Sequence, residues 1–155
     1  MAPVALTIPI MGITGEFTLE RASKRVALFA EGIGVTPFLS MLGGVRRGGG
    51  GDGWDVVLVL STREPEVLLP LVWEVAGKEK GVRVHVFSDK AVLEAGNAVV
   101  YRGQVTSGYL VERREDWVGR DVYVCGPESY RESVIEGLVE AGVEKATIRT
   151  ETFEY

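Results

Sequence analysis

Four stretches of the chain, at 25–30, 55–61, 82–87 and 121–125, are short runs of Val, Leu, Ala and Phe with little polar alternation, and a more mixed one follows at 146–152. Runs of that kind read as strands, and the first four lack the in-out alternation of a half-solvated strand, so they are expected to be buried on both faces of a parallel sheet. Between them the apolar spacing lengthens to three and four. Phe38, Leu39, Met41 and Leu42 form one such stripe, opened by Thr36 as a hydroxyl N-cap with Pro37 at the first helical position, and ending near Gly43 and Gly44. Pro65 could open the next helix, but Pro70 would then break an interior hydrogen bond, so the spacing predicts a turn over 64–69 and a helix from Pro70 to about residue 78. Tyr130, Val134 and Leu138 repeat every four residues, Ile135 and Val139 widen that face, and Gly142 stands where a C-terminal cap belongs. The segment 91–117 reads as a loop with a brief strand near Val99 and a short helix over 106–112. Strands alternating with helices predict an α/β fold, a three-layer, doubly wound, Rossmann-like parallel sheet with right-handed crossovers.

Three segments follow strands and bend into helices: Gly32-Ile33-Gly34-Val35-Thr36-Pro37, Ser61-Thr62-Arg63-Glu64-Pro65 and Cys125-Gly126-Pro127. In an open parallel sheet such loops lie at the carboxyl edge of the strands, where these sheets bind ligands. The glycines of the first segment would let backbone N–H groups approach a pyrophosphate, with the positive end of the following helix aimed at its charge. The spacing is not G-x-G-x-x-G, because Pro37 stands where a third glycine would be, and a purely structural turn remains an alternative. The run Gly48 to Gly51, with Asp52 and Gly53, follows a helix and precedes a strand, so it reads as a connector at the amino edge.

Cys125 invites a competing reading. Five residues separate it from Arg131 on a strand, loop and helix, the spacing of cysteine-dependent phosphatases, whose loop amides and arginine hold a phosphate while the thiolate attacks. Here Pro127 removes one amide, Glu128 places a carboxylate in the cradle, and no histidine precedes the cysteine. A third alternative is that Cys125 is a small buried hydrophobe closing its strand.

The chain has 155 residues, 46% hydrophobic and 25% charged, which fits one globular domain. A net charge of -5, without a basic run longer than a pair, argues against nucleic acid as a partner. One cysteine excludes an internal disulfide, and a single histidine, His85, excludes a Cys/His metal cluster while leaving a carboxylate site open. No metal site is assigned. No apolar run approaches the roughly 18 residues needed to span a bilayer, and the apolar start lacks the basic flank of a secretory signal. The expectation is a cytoplasmic protein, or one of another reducing compartment, without a membrane partner.

Taken together, the segments resemble the pyridine-nucleotide-binding domain of the ferredoxin-NADP reductase superfamily. The matching residues run in order: Val26-Ala27-Leu28-Phe29-Ala30, then Gly34-Val35-Thr36-Pro37-Phe38-Leu39-Ser40-Met41-Leu42, Leu60-Ser61-Thr62-Arg63, Gly103, Val122-Tyr123-Val124-Cys125-Gly126-Pro127 and Glu151-Thr152-Phe153. The resemblance implies about five parallel strands in the order 3-2-1-4-5, with NADH or NADPH across their carboxyl edge and hydride passing from nicotinamide to a flavin. It implies that Gly32, Gly34, Val35, Thr36 and Pro37 hold the pyrophosphate and nicotinamide side, and that Arg63 contacts phosphate. Cys125 would lie against the nicotinamide beside Gly126 and Pro127. Glu151 would orient the reacting centre, and Phe153 or Tyr155 would cover the flavin. Ser88 and Asp89 follow the third strand, and Asp89 would repel a 2′-phosphate and accept from a ribose diol, which favours NADH.

Two departures accompany the match. Glu31 stands where the family usually has glycine. The family's flavin barrel is missing: residues 1–22 hold a remnant of its last strand, at Pro9 to Leu19, plus a linker, and 23–155 form the nucleotide domain. FAD is therefore expected only with a missing domain or a partner protein, the chain alone is expected to be inactive, the electron acceptor stays unnamed, and an exposed apolar remnant would favour self-association. A nucleotide-binding module without turnover is the alternative.

Overall fold

The computed structural model describes residues 24–47, 53–76 and 81–151. Six parallel strands form one sheet: β1 (Arg25–Glu31), β2 (Asp55–Ser61), β3 (Val82–Ser88), β4 (Val99–Arg102), β5 (Asp121–Cys125) and β6 (Ile148–Glu151). Their order is β4-β3-β2-β1-β5-β6, so the expected 3-2-1-4-5 arrangement is present, with the brief strand at Val99 joined to its outer edge. β1 is central. Its Phe29 pairs with Val59 on one side and Val124 on the other, and Val26 to Ala30 are fully buried, as two-sided burial of an apolar strand demands. β6 begins two residues later than its sequence pattern suggested, because Lys145–Thr147 close a 3-10 turn first.

Helices α1 (Thr36–Arg47) and α2 (Pro65–Ala76) contact each other and bury Phe38, Leu39, Leu42, Leu68, Leu69 and Val72 in one core. Helices α3 (Ser107–Glu112) and α4 (Glu128–Glu140) pack together on a second core that holds Phe29, Leu110, Trp117, Val134 and Leu138. The sole histidine belongs to this second layer: His85 is buried, its Nδ1 lies 2.6 Å from the Tyr109 hydroxyl, and burial depresses its pKa to about 4. The three layers are thus helix pair, sheet and helix pair.

Three helix expectations need correction. A 3-10 turn over Gly32–Val35 precedes α1, so Thr36 is already helical and its hydroxyl donates to the Ile33 carbonyl at 2.9 Å instead of capping an amide; the helix also continues past Gly43 and Gly44 to Arg47. α2 starts at Pro65 and carries Pro70 inside it. Pro70 is exposed, so the orphaned carbonyl faces water, and burying Leu68, Leu69 and Val72 at about 1.5–3 kcal/mol each outweighs the roughly 3 kcal/mol cost of one interior proline. Val139 on α4 faces solvent and does not widen the buried stripe. The expected cap is there: Gly142, at φ +106, donates to Val139 and the next amide, Val143, donates to Leu138, the paired bonds of a Schellman ending. The 48–51 connector and the 1–22 strand remnant lie outside the described residues, as do Phe153 and Tyr155.

Candidate functional site

At the carboxyl edge, the ends of β1, β2 and β3, the loop after β4 and the first turns of α4 enclose a cleft of about 730 Å³. That size lies within the range of ligand sites, which is about 300–1,000 Å³. Its construction begins with backbone. Gly32 adopts φ +59, a left-handed conformation that side-chain-bearing residues disfavour, and nothing lies within 4 Å of where its Cβ would be, so the chain turns there while leaving open space above it. Two residues on, the constraint reverses. A Cβ on Gly34 would lie 2.6 Å from the Cys125 carbonyl oxygen, so glycine at this position lets the turn after β1 press against the turn after β5. Gly126 completes the junction, since a Cβ there would stand 3.0 Å from the Tyr130 ring and 3.3 Å from the Glu31 Cβ.

The second loop is fixed by two hydrogen bonds: the Thr62 amide donates to the Phe87 carbonyl at 3.0 Å, and the Glu64 amide donates to the Thr62 hydroxyl at 2.9 Å. Arg63 is left exposed on the cleft wall. At the end of β3, the Ser88 hydroxyl accepts from the Lys90 amide and the Ser88 carbonyl from the Gly103 amide, so Ser88 is structural in these contacts while Asp89 remains exposed. Below the rim, Ser61 and Tyr130 are each 8% exposed and line the cleft, and neither Ser61 Oγ nor the Tyr130 hydroxyl meets hydrogen-bond geometry with another protein group. The two hydroxyls lie close enough to act on each other, so this wall presents a polar pair to whatever occupies the cleft.

Of the residues singled out in the sequence, the cleft wall includes Gly32, Arg63, Ser88 and Asp89. Gly34, Val35, Thr36 and Pro37 lie buried behind the first turn, where they shape the wall without forming it. Cys125 is fully buried in the α1 layer, beside Val35 and Phe38 in the same core, and Glu151 is its register partner on β6. Burial, with the Glu151 charge second, pushes the Cys125 thiol up to about 12. The phosphatase alternative fails on this geometry: the thiol is neutral and inaccessible, and Arg131 donates through Nε to the Gly126 carbonyl at 3.1 Å.

The Ser61 loop expected at the ligand edge does line the cleft, whereas sequence reasoning missed Tyr130, Ser129 and Ser133 as cleft residues. Tyr130 was legible only as core, which it also is. Ser129 and Ser133 were findable, because a spacing of four just after the β5 loop puts both on one face of α4 near the carboxyl edge. Among the described residues no group of three or more His, Cys, Asp or Glu could hold a metal ion, and no helix is long and apolar enough to cross a membrane. The charge of the cleft is acidic: Glu31, Glu64 and Asp89 line it against one guanidinium, Arg63. Glu31 is half-buried, and desolvation raises its pKa although Arg63 opposes that shift.

No protein-family model matches the chain. It is 27% identical over 160 residues to a flavohemoprotein of Burkholderia sp. (strain TH2), covering 95% of this chain and 37% of that protein. It is 25% identical over 154 residues to the toluate 1,2-dioxygenase electron transfer component of Pseudomonas putida, covering 99% and 44%. Among solved structures, the flavohemoglobin from Malassezia yamatoensis matches with a TM-score of 0.72 at 25% identity, over 90% of this chain and 35% of that one. The chain thus spans less than half the length of these relatives. In sequence and fold the chain is similar to these flavohemoproteins and electron transfer components, consistent with its resemblance to the pyridine-nucleotide-binding domains of the ferredoxin-NADP reductase superfamily.

Proposed function

We propose that this chain is the nucleotide-binding part of a flavin-dependent oxidoreductase, holding NADH in preference to NADPH and presenting it to a flavin carried by another domain or polypeptide. The single observation that carries the reading is the junction at Gly34: the first turn and the Cys125-Gly126 turn touch, so one extended dinucleotide can lie on both. The relatives support the reading by their names, which describe flavohemoproteins and an electron transfer component.

The residues fit such a ligand. The open space over Gly32 admits a diphosphate, Arg63 supplies positive charge, and the hydroxyls of Ser61 and Tyr130 offer polar contacts on the same wall. Asp89, exposed at the end of β3, accepts hydrogen bonds from a free ribose diol and repels a 2′-phosphate, hence the preference for NADH. The nicotinamide end reaches past the first turn to the edge formed by Gly126 and Glu151. The nucleotide and flavin together supply the hydride chemistry, so what the protein contributes is placement. Cys125 acts as packing beneath that edge and not as a nucleophile. The flavin is held by another domain or polypeptide, and the electron acceptor lies beyond it.

Titration of NADH and NADPH against intrinsic tryptophan fluorescence tests the reading. Saturable NADH binding at micromolar concentration, with weaker NADPH binding, is expected. Absence of binding by either nucleotide at millimolar concentration overturns it.

A further inference from the structure

An acidic cleft is an unusual receptor for two phosphates, and the placement of one carboxylate resolves the conflict. Glu31 ends β1 directly before Gly32, on the cleft wall, at the N-cap position of the 3-10 turn, where its side chain makes no capping hydrogen bond and feels the charge of Arg63. We propose that Glu31 couples dinucleotide binding to proton uptake, so that the cleft takes its anionic ligand with one proton from solvent and binds it more tightly as pH falls. This rests on the dinucleotide reading above.

The argument is local. Each element packed around Glu31 contributes a titratable or charged group. The β2–α2 loop brings Arg63, which favours the carboxylate, and the exposed Glu64. α4 brings the Tyr130 phenol, and β5 brings the Cys125 thiol, both neutral because burial raises their pKa values. Arg131 is engaged by the Gly126 carbonyl, and Asp89 stands on the far wall at the end of β3. Among the described residues Arg63 is therefore the one cation lining this cleft for the carboxylate and the ligand to share. A diphosphate set on the Gly32 turn competes for Arg63 and adds negative charge beside a group that burial already biases toward its neutral form. Protonating Glu31 removes the repulsion and frees the guanidinium. Glu64 and Asp89 are exposed, so water screens their charges.

The sign follows from linkage. The ligand raises the Glu31 pKa further above its free value, so the bound state holds more protons and affinity improves on acidification, by at most about tenfold per pH unit for one proton. A dinucleotide diphosphate is a diester, without the second ionisation near pH ~6 of a phosphate monoester, so the slope reports the protein.

The test measures the dissociation constant of NADH, freshly mixed, between about pH 5.5 and pH 8 for the parent chain, Glu31→Gln and Glu64→Gln, within the range where carboxyls of raised pKa titrate. The expected result is that the parent tightens as pH falls, that Glu31→Gln binds about tenfold more tightly than the parent at the alkaline end with a flat profile, and that Glu64→Gln keeps the parental slope. Glu31→Ala serves as a second charge-removing variant with the same flat profile expected. Parallel profiles for parent and both Glu31 variants overturn the coupling while leaving the dinucleotide reading intact. No NADH binding by any chain at any pH overturns the dinucleotide reading and the coupling with it.

Discussion

Gly34 lies at the tightest backbone contact of the site. The space where its Cβ would be is occupied by the carbonyl of Cys125, a backbone atom of the neighbouring strand end, which cannot yield as a side-chain tip would. The sequence alone suggests that a side chain at this position intrudes on a bound diphosphate. The geometry gives a different cause, a clash inside the protein between two turns. Gly34→Ala is expected to lower stability by about 1–3 kcal/mol, read as a reduced urea midpoint, and to weaken NADH binding as the turns separate. Gly32→Ala meets no atom and carries only the cost of a left-handed alanine, so it is the milder variant. An unchanged midpoint for Gly34→Ala would show that the β1 and β5 turns are not in contact.

At the scale of elements, the strands were readable because burial on both faces leaves an unbroken apolar run, and that pattern survives without knowledge of any partner. β4 and α3 were readable only faintly: Val99 and Val100 are exposed on an edge strand, and α3 is six residues long. The helix from Pro65 was misjudged, because proline chemistry is local while the gain from burying Leu68, Leu69 and Val72 against α1 and the sheet is not visible in a window. Site residues divide the same way. Gly32, Ser61, Arg63 and Asp89 sit at or directly after strand ends and are legible from position, whereas Tyr130 reads only as core until the cleft is seen to open against it. Pro70→Ala is expected to restore the bond to the Glu66 carbonyl and stabilise the chain by about 1–2 kcal/mol, less than the full helix penalty because proline also restricts the unfolded chain. Thermal unfolding decides it, and a lower midpoint would mean that Pro70 contributes packing beyond its solvent-facing ring.

The molecule as a whole has two differently built edges. At the amino edge, Arg120 donates to the Asp55 carbonyl and carboxylate at 2.8 Å each, and Arg83 bridges Asp55 and Asp116, so ion pairs tie the starts of β2, β3 and β5 together even though the Arg120 Nε finds no partner among the described residues. At the carboxyl edge, two buried hydroxyls line an open cleft, a glycine turns the chain under open space, and burial raises the pKa values of two carboxyls, Glu31 and Glu151. That asymmetry is the physical ground for assigning the ligand to one edge. Amide chemical-shift mapping of the chain on addition of NADH tests it most directly. Shifts clustered at Gly32, Thr62, Arg63, Asp89, Gly103 and Ser129 are expected, and shifts centred instead on Gly53, Gly81 and Arg120, at the opposite end of the strands, would contradict the assignment.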